Sequence, residues 1–167
     1  FVSKVLKIPP KIRFVGLARP YFLTTSNFVG ESVFNTDNAG QDEYYIDGFN
    51  INGGGVNTPN LSSLHVGGCR NSTFKNIVGT SCPNATVLVY PTNPDSGDIE
   101  NIELDHIWTV RGAGIKFQTN SNIARGNITD GTITNCQLTS GDIDAKDGFP
   151  LLLAASAGKM IFGLKFD

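Results

Sequence analysis

The sequence predicts an all-β fold, a right-handed parallel β-helix, on three observations. Short apolar strands with inward residues two apart recur along Ser63–Leu138, and such alternation buries one face of a strand and exposes the other. The strands come in two kinds that alternate. One kind is Leu64-His65-Val66, Val87-Leu88-Val89 and Ile115-Lys116-Phe117; the other is 73–77, 102–107 and 131–136. Each kind returns after about 22 to 30 residues, the repeat size of a solenoid, whose coils seal their apolar faces by stacking. Finally, Asn76, Asn101 and Asn135 recur beside strands of the second kind. Asn suits a coil corner because it tolerates left-handed backbone angles and bonds its own backbone.

An antiparallel sandwich also spaces short strands between turns. Its hairpins are usually closed by tight two-residue turns, and few such pairs occur here. With 167 residues, 40% of them hydrophobic, the chain suffices for one domain with a real core. A net charge of -2 without a long run of either sign argues against a nucleic-acid partner. No apolar stretch reaches the length of a membrane span. The start inside a strand-like run, and an end that reads as a new coil from Gly158 to Asp167, lead us to expect a longer parent chain.

In chain order, Phe1–Val15 alternates on both sides of Pro9-Pro10, so two strands joined by a turn are expected. From Leu17 to Glu43 the pattern is least regular. There Arg19-Pro20-Tyr21 and 35–40 read as loops, and Phe28-Val29 and Val33-Phe34 as short strands. The apolar run Pro150–Ala155 suits a buried strand or a short helical turn. Of the three cysteines, Cys69 and Cys82 are about half a coil apart, so they fall on different sides of the coil and are not poised to pair. Cys136 takes the place that Ile77 and Ile107 fill in earlier coils, as a small buried hydrophobe. No Cys or His spacing suits a metal, and no cofactor is expected.

The opening segments resemble the pectate-lyase-3 type of pectin-lyase-like β-helix. Val2-Ser3-Lys4, Phe14-Val15-Gly16, Ser26-Asn27-Phe28 and Ile46-Asp47-Gly48-Phe49-Asn50-Ile51 fall in an order similar to the amino-terminal β-helix of fungal exo-β-1,3-glucanases. The likeness covers about the first half of the chain, and its motifs are structural. The second half resembles polygalacturonase coils, whose catalytic motifs it lacks. Asn35-Thr36-Asp37 matches that family's Asn-Thr-Asp triplet, but a polar loop follows where the family has a strand. At the strand-aligned place stands Ser62, and Lys116 and Gln118 stand where the family has its Arg-Ile-Lys clamp. The paired Asp residues and the Gly-His-Gly are missing.

Two groups of candidate binding residues follow. If Leu64, Val66, Ile115 and Phe117 point inward, His65, Lys116 and Gln118 point to solvent on one stripe, with Tyr90 nearby; the alternative is a solvated surface pair without function. Glycoside hydrolysis usually needs two carboxyl groups across the bond, and this stripe has none. In the second group, Glu103 and Asp105 share an outward face, with Trp108 and Arg111 just beyond. A ring beside carboxylates and a guanidinium suits a sugar surface, unless Trp108 packs under a loop. Asp142, Asp144 and Asp147-Gly148 superficially suggest a calcium loop, but the spacing is one residue off. Sequons at Asn60, Asn71, Asn84 and Asn127 are glycan acceptors if the protein is secreted. The expectation is a secreted or extracellular carbohydrate-active β-helix with a polysaccharide partner. It is either part of a glycoside hydrolase or polysaccharide lyase whose catalytic residues lie largely outside this segment, or a non-catalytic binder such as a homotrimeric phage tail-spike segment on a virion surface.

Overall fold

The computed structural model describes residues 1–36, 43–54, 60–95, 97–123, 126–138 and 149–167. Among these, every strand pairing is parallel and no helix occurs, so the sandwich is excluded. The strands form a solenoid of about five turns with about 29 residues per turn.

One ladder comprises β1 (Val2–Lys7), the far half of β3 (Tyr21–Asn35), β5 (Ser62–Val66), β7 (Ala85–Val89), β9 (Ile115–Gln118) and β11 (Leu151–Ala154). The other comprises β2 (Arg13–Val15), β4 (Tyr45–Asn52), β6 (Arg70–Thr80), β8 (Ile99–Val110), β10 (Ile128–Thr134) and β12 (Ile161–Phe166). Both kinds of strand read from the sequence stack as expected: Leu64 on Val87 on Ile115, and Phe74 on Leu104 on Ile133. The core is therefore a set of columns, one residue per coil, continuous along the axis.

Left-handed corners bend the long strands. Asn76, Asn101 and Asn135 all have positive φ, near 50°, which confirms the role read for them. The register shows two columns of such corners. Asn71, Asn101, Asp130 and Gly163 form one, and Gly48, Asn76, His106 and Asn135 the other. Asn and Gly meet the strain of these angles most cheaply. Neighbouring Asn amides also bond along a column, Asn101 donating to Asn71 at 2.8 Å.

A third face was not read from the sequence. Beyond the second corner column the chain stays extended, and Tyr21, Asn50, Val78, Trp108 and Gln137 stack in one register. Ser81 and Arg111 close this face with further left-handed corners. The segment expected to be irregular is also more regular than its sequence. Tyr21–Asn35 is one strand that passes from the third face to the first ladder and contains Phe28-Val29 and Val33-Phe34. Its register against β1 shifts twice, and such bulges bend the strand. Pro150–Ala155 gives a strand, β11, rather than a helical turn, and Leu153 in it is half exposed rather than buried.

None of the three cysteines is in a disulfide. Cys136 lies partly buried against the core, one coil beyond Ile107 as expected. Cys82 is fully buried in a small polar seam, its thiol 3.0 Å from the Ser63 hydroxyl. Burial pushes its pKa up to about 11 from 9.0, against smaller opposing bonds from Ser63 and Gly53. The unfolded thiol ionises first as pH rises, so the stability tied to this group is complete below pH 9 and lost between pH 9 and about 11. By linkage that amounts to roughly 2–3 kcal/mol. Denaturant melts at pH 8 and pH 10.5 should show a smaller alkaline loss in Cys82→Ala than in the natural protein. Equal losses would refute the assignment.

Candidate functional site

Among the described residues, the outer face of the second ladder holds a set of interlocked polar side chains. Alternation sends Ile46, Phe74, Leu104 and Ile133 inward, so their neighbours point out in two parallel columns. One column runs Arg13, Tyr45, Thr73, Glu103, Thr132 and Lys165; the other runs Val15, Asp47, Lys75, Asp105 and Thr134. Adjacent members are one strand spacing apart, about 4.8 Å.

These side chains hold one another in place. The Arg13 guanidinium lies 4.2 Å from the centre of the Tyr45 ring, and the Lys75 ammonium 5.2 Å from it. Tyr45 donates its hydroxyl hydrogen to Asp47 at 3.2 Å, Asn76 donates to the same carboxylate at 2.8 Å, and Thr73 donates to Glu103 at 3.0 Å. The Lys75 pKa is raised, chiefly by its bond to Tyr45, with burial opposing and the charges of Tyr45, Asp47 and Glu103 assisting. It is a cation at any physiological pH.

Asp105 is the best-anchored carboxylate of the face. It accepts from Thr134 at 2.9 Å and Asn135 at 2.9 Å, and His106 Nδ1 stands 2.9 Å from its other oxygen. Burial raises its pKa, but the bonds from Asn135, His106 and Thr134 and the imidazole charge outweigh that, so the net shift is downward. An ionised Asp105 orients the imidazole, and His106 occupies a corner that Asn or Gly fills in the other coils.

The sequence grouped Glu103 and Asp105 correctly on one outward face. Trp108 and Arg111 lie around the corner made by His106, on and beside the third face. Trp108 is 38% exposed, with the guanidinium of Arg19, from the turn before β3, 5.9 Å from its ring centre. Tyr45, Lys75, Arg13 and Asp47 were missed as site residues. The signal available for them was register: Asp47, Lys75 and Asp105 each sit one residue before a corner at Gly48, Asn76 and His106.

The other predicted stripe needs correction. His65 and Lys116 do lie on the outer side of their strands, one column with Leu88 between them, but His65 is only 7% exposed. Its Nδ1 accepts from the Asn35 amide at 3.2 Å and its Nε2 donates to the Tyr90 carbonyl at 2.5 Å. Both ring nitrogens are thus used in holding coils together, and the Tyr90 ring stacks beside the imidazole at 6.2 Å. Lys116 donates to Asn84 at 3.4 Å, and Gln118 is half-buried beside Ala154 in the next coil. Alternation assigned the side of the strand correctly; the flanking segments determine exposure. Asn35 and Thr36 of the Asn-Thr-Asp triplet also serve this packing, Thr36 being fully buried, while Asp37 and the loop of Asp142, Asp144 and Asp147 lie outside the described residues.

No helix among the described residues is long and apolar enough to cross a membrane. No protein-family model, curated protein or solved structure matches the chain. Its demonstrable affiliation is therefore architectural, that of an all-β chain wound as a parallel β-solenoid.

Proposed function

We propose that this chain is a polysaccharide-binding β-solenoid of a carbohydrate-active protein, and that the outer face of the second ladder is its glycan contact. The supporting observation is the locked lane of Tyr45, Asp47, Lys75, Thr73, Glu103 and Asp105. Donors and acceptors fixed by one another lose little freedom when a ligand arrives, and a lane that adds two outward positions at every coil suits an extended polymer. The resemblance to pectin-lyase-like enzymes and fungal β-1,3-glucanases agrees with this reading, and a secreted location would follow from it.

Binding is favoured over hydrolysis on this face. Asp47 and Asp105 are two strand spacings apart, about 10 Å between backbones, not far from the range of an inverting pair. Lys75 stands between them in register, where that mechanism needs room for a water. The lowered pKa of Asp105 also unsuits it to donate a proton near neutrality.

The reading is tested by calorimetry and affinity electrophoresis on β-1,3-glucan and pectic oligosaccharides, with reducing-sugar release followed in parallel. At least one glycan should bind without being cleaved, and Lys75→Gln should weaken it about tenfold while leaving the thermal midpoint within a few degrees. Failure of every glycan to bind would refute the proposal; sugar release would move it to the hydrolase or lyase reading. A trimeric tail-spike-like binder is the second reading, favoured by the exposed Tyr21, Trp108 and Val110 along the third face.

A further inference from the structure

The coils treat the sequons of this chain unequally. Asn60, Asn71, Asn84 and Asn127 each stand two residues before a Ser or Thr, the pattern that accepts an N-linked glycan at a protein surface. Asn60 adjoins residues 55–59, which lie outside those described, so the comparison concerns the other three.

Asn84 and Asn127 act as rivets between coils. Asn84 is half-buried; its amide donates to the Ser62 hydroxyl of the preceding coil at 3.0 Å, and its oxygen accepts from Lys116 of the following coil at 3.4 Å. Asn127, also half-buried, donates to Asp98 of the preceding coil at 3.3 Å and accepts from the Met160 backbone amide of the following coil at 3.0 Å. A sugar on either nitrogen replaces one of its two hydrogens and needs solvent where the preceding coil stands. Loss of such contacts shifts the ratio of folded to unfolded chains by about five- to thirtyfold.

Asn71 has the opposite arrangement. It is exposed, at a left-handed corner with φ of 48°. Its oxygen accepts from the Asn101 amide of the following coil at 2.8 Å, which orients the side chain, while its nitrogen has no hydrogen-bond partner among the described residues. Asn71 also borders a cavity of about 250 Å³, so the protein leaves space beside it.

We propose that Asn71 is an N-glycan acceptor of the folded chain, and that Asn84 and Asn127 stay bare. The proposal rests on the secreted location that accompanies the reading above, not on the lane as a glycan contact. In the transfer, Asn71 Nδ2 bonds to the anomeric carbon of an oligosaccharide carried on a lipid pyrophosphate. The lipid pyrophosphate leaves with the electrons of the broken C–O bond, and one amide hydrogen departs as a proton; nothing is oxidised or reduced. Transfer acts on the unfolded chain, so the choice among the three is made at folding. A chain modified at Asn71 closes its coils with the glycan outside, whereas one modified at Asn84 or Asn127 cannot close them.

The test sends the full chain through the secretory pathway of a eukaryotic cell behind an added signal peptide. The folded, secreted protein is treated with a glycan-releasing amidase in heavy-oxygen water, which turns each occupied Asn into a labelled Asp, and is mapped by mass spectrometry. Asn71 should be labelled in most molecules, and at least about tenfold more often than Asn84 or Asn127. Asn71→Asp keeps an acceptor for Asn101 and suits the left-handed corner, but offers no amide nitrogen. Its secreted product should lose the mass of one glycan while its thermal midpoint stays within a few degrees. An unlabelled Asn71, or labelling of Asn84 or Asn127 equal to that of Asn71, overturns the proposal. A bare Asn71 in protein from its own source, beside a labelled one from the secretory host, overturns the secreted location and upholds the site.

Discussion

Phe34→Ala is expected to destabilise the protein by about 3–5 kcal/mol, the range for removing a large aromatic side chain from a closed core. Phe34 is 1% exposed and sits among Phe14, Phe22 and Phe49, with ring centroids 5.5, 5.0 and 5.3 Å away. All three of these contacts are edge-on, while Phe22 meets Phe49 at a tilt and Phe14 stacks on Phe49 at 4.6 Å. The four rings come from β2, β3 and β4, so they tie the first coil to the next. Strand spacing is fixed by the backbone ladders, which leaves the walls little room to collapse into the vacated volume. A urea melt would show the loss as a lower midpoint, accompanied by easier proteolysis of the first coil. A change under about 1 kcal/mol would mean that the rings repack freely and that the column does not organise this end.

The fold was readable because its determinants are local and repeated. Each coil states its inward residues by alternation, and each corner at 76, 101 and 135 states itself by an Asn that the structure places at positive φ. The third face escaped because its corner residues, Ser81 and Arg111, are not types that advertise left-handed backbone. Tyr21–Asn35 escaped for a related reason. Its register slips against β1, which breaks the two-residue period on which the reading depended.

The candidate site was only half readable, and the reason is geometric. Glu103 and Asp105 are two apart in one strand, so their shared face follows from a single segment. Asp47 and Lys75 join them only through register across three coils, information that is distributed over about 60 residues of sequence. His65 shows the converse limit. Its outward direction was legible from Leu64 and Val66, but the groups that cover and satisfy it, Asn35 and the Tyr90 carbonyl, come from the coils on either side.

Those inter-coil contacts also bear on how the glycan lane keeps its shape. Asp47 is held by Asn76 of the following coil and Asp105 by Asn135 of the coil after its own, so corner residues serve as both backbone hinges and side-chain anchors for the lane. A change that shifts one coil relative to the next therefore disturbs the lane without touching it.

Gly79→Ala tests that coupling from the interior, with an expected loss of about 2–3 kcal/mol. Gly79 lies in the inward column between Ile51 and Thr109. A methyl group there would stand 2.5 Å from the Thr86 hydroxyl, 2.6 Å from its methyl and 2.8 Å from the Ser63 hydroxyl. Neither neighbour is free to withdraw. Thr86 shares a hydrogen bond with Thr109 at 2.9 Å and donates to the Ala113 carbonyl at 3.2 Å, while Ser63 contacts Cys82 at 3.0 Å. Relief requires either breaking buried hydrogen bonds or parting the two ladders. Thr86→Ser removes the methyl but keeps the hydroxyl, so Gly79→Ala should cost at least about 0.5 kcal/mol less in that background, a coupling that a double-mutant cycle resolves. The lane on the second ladder should respond as well, with weaker glycan binding in Gly79→Ala than in the natural protein at a temperature where both are folded. A neutral Gly79→Ala would show that the seam yields easily, and the mechanical link from core to lane would be lost with it.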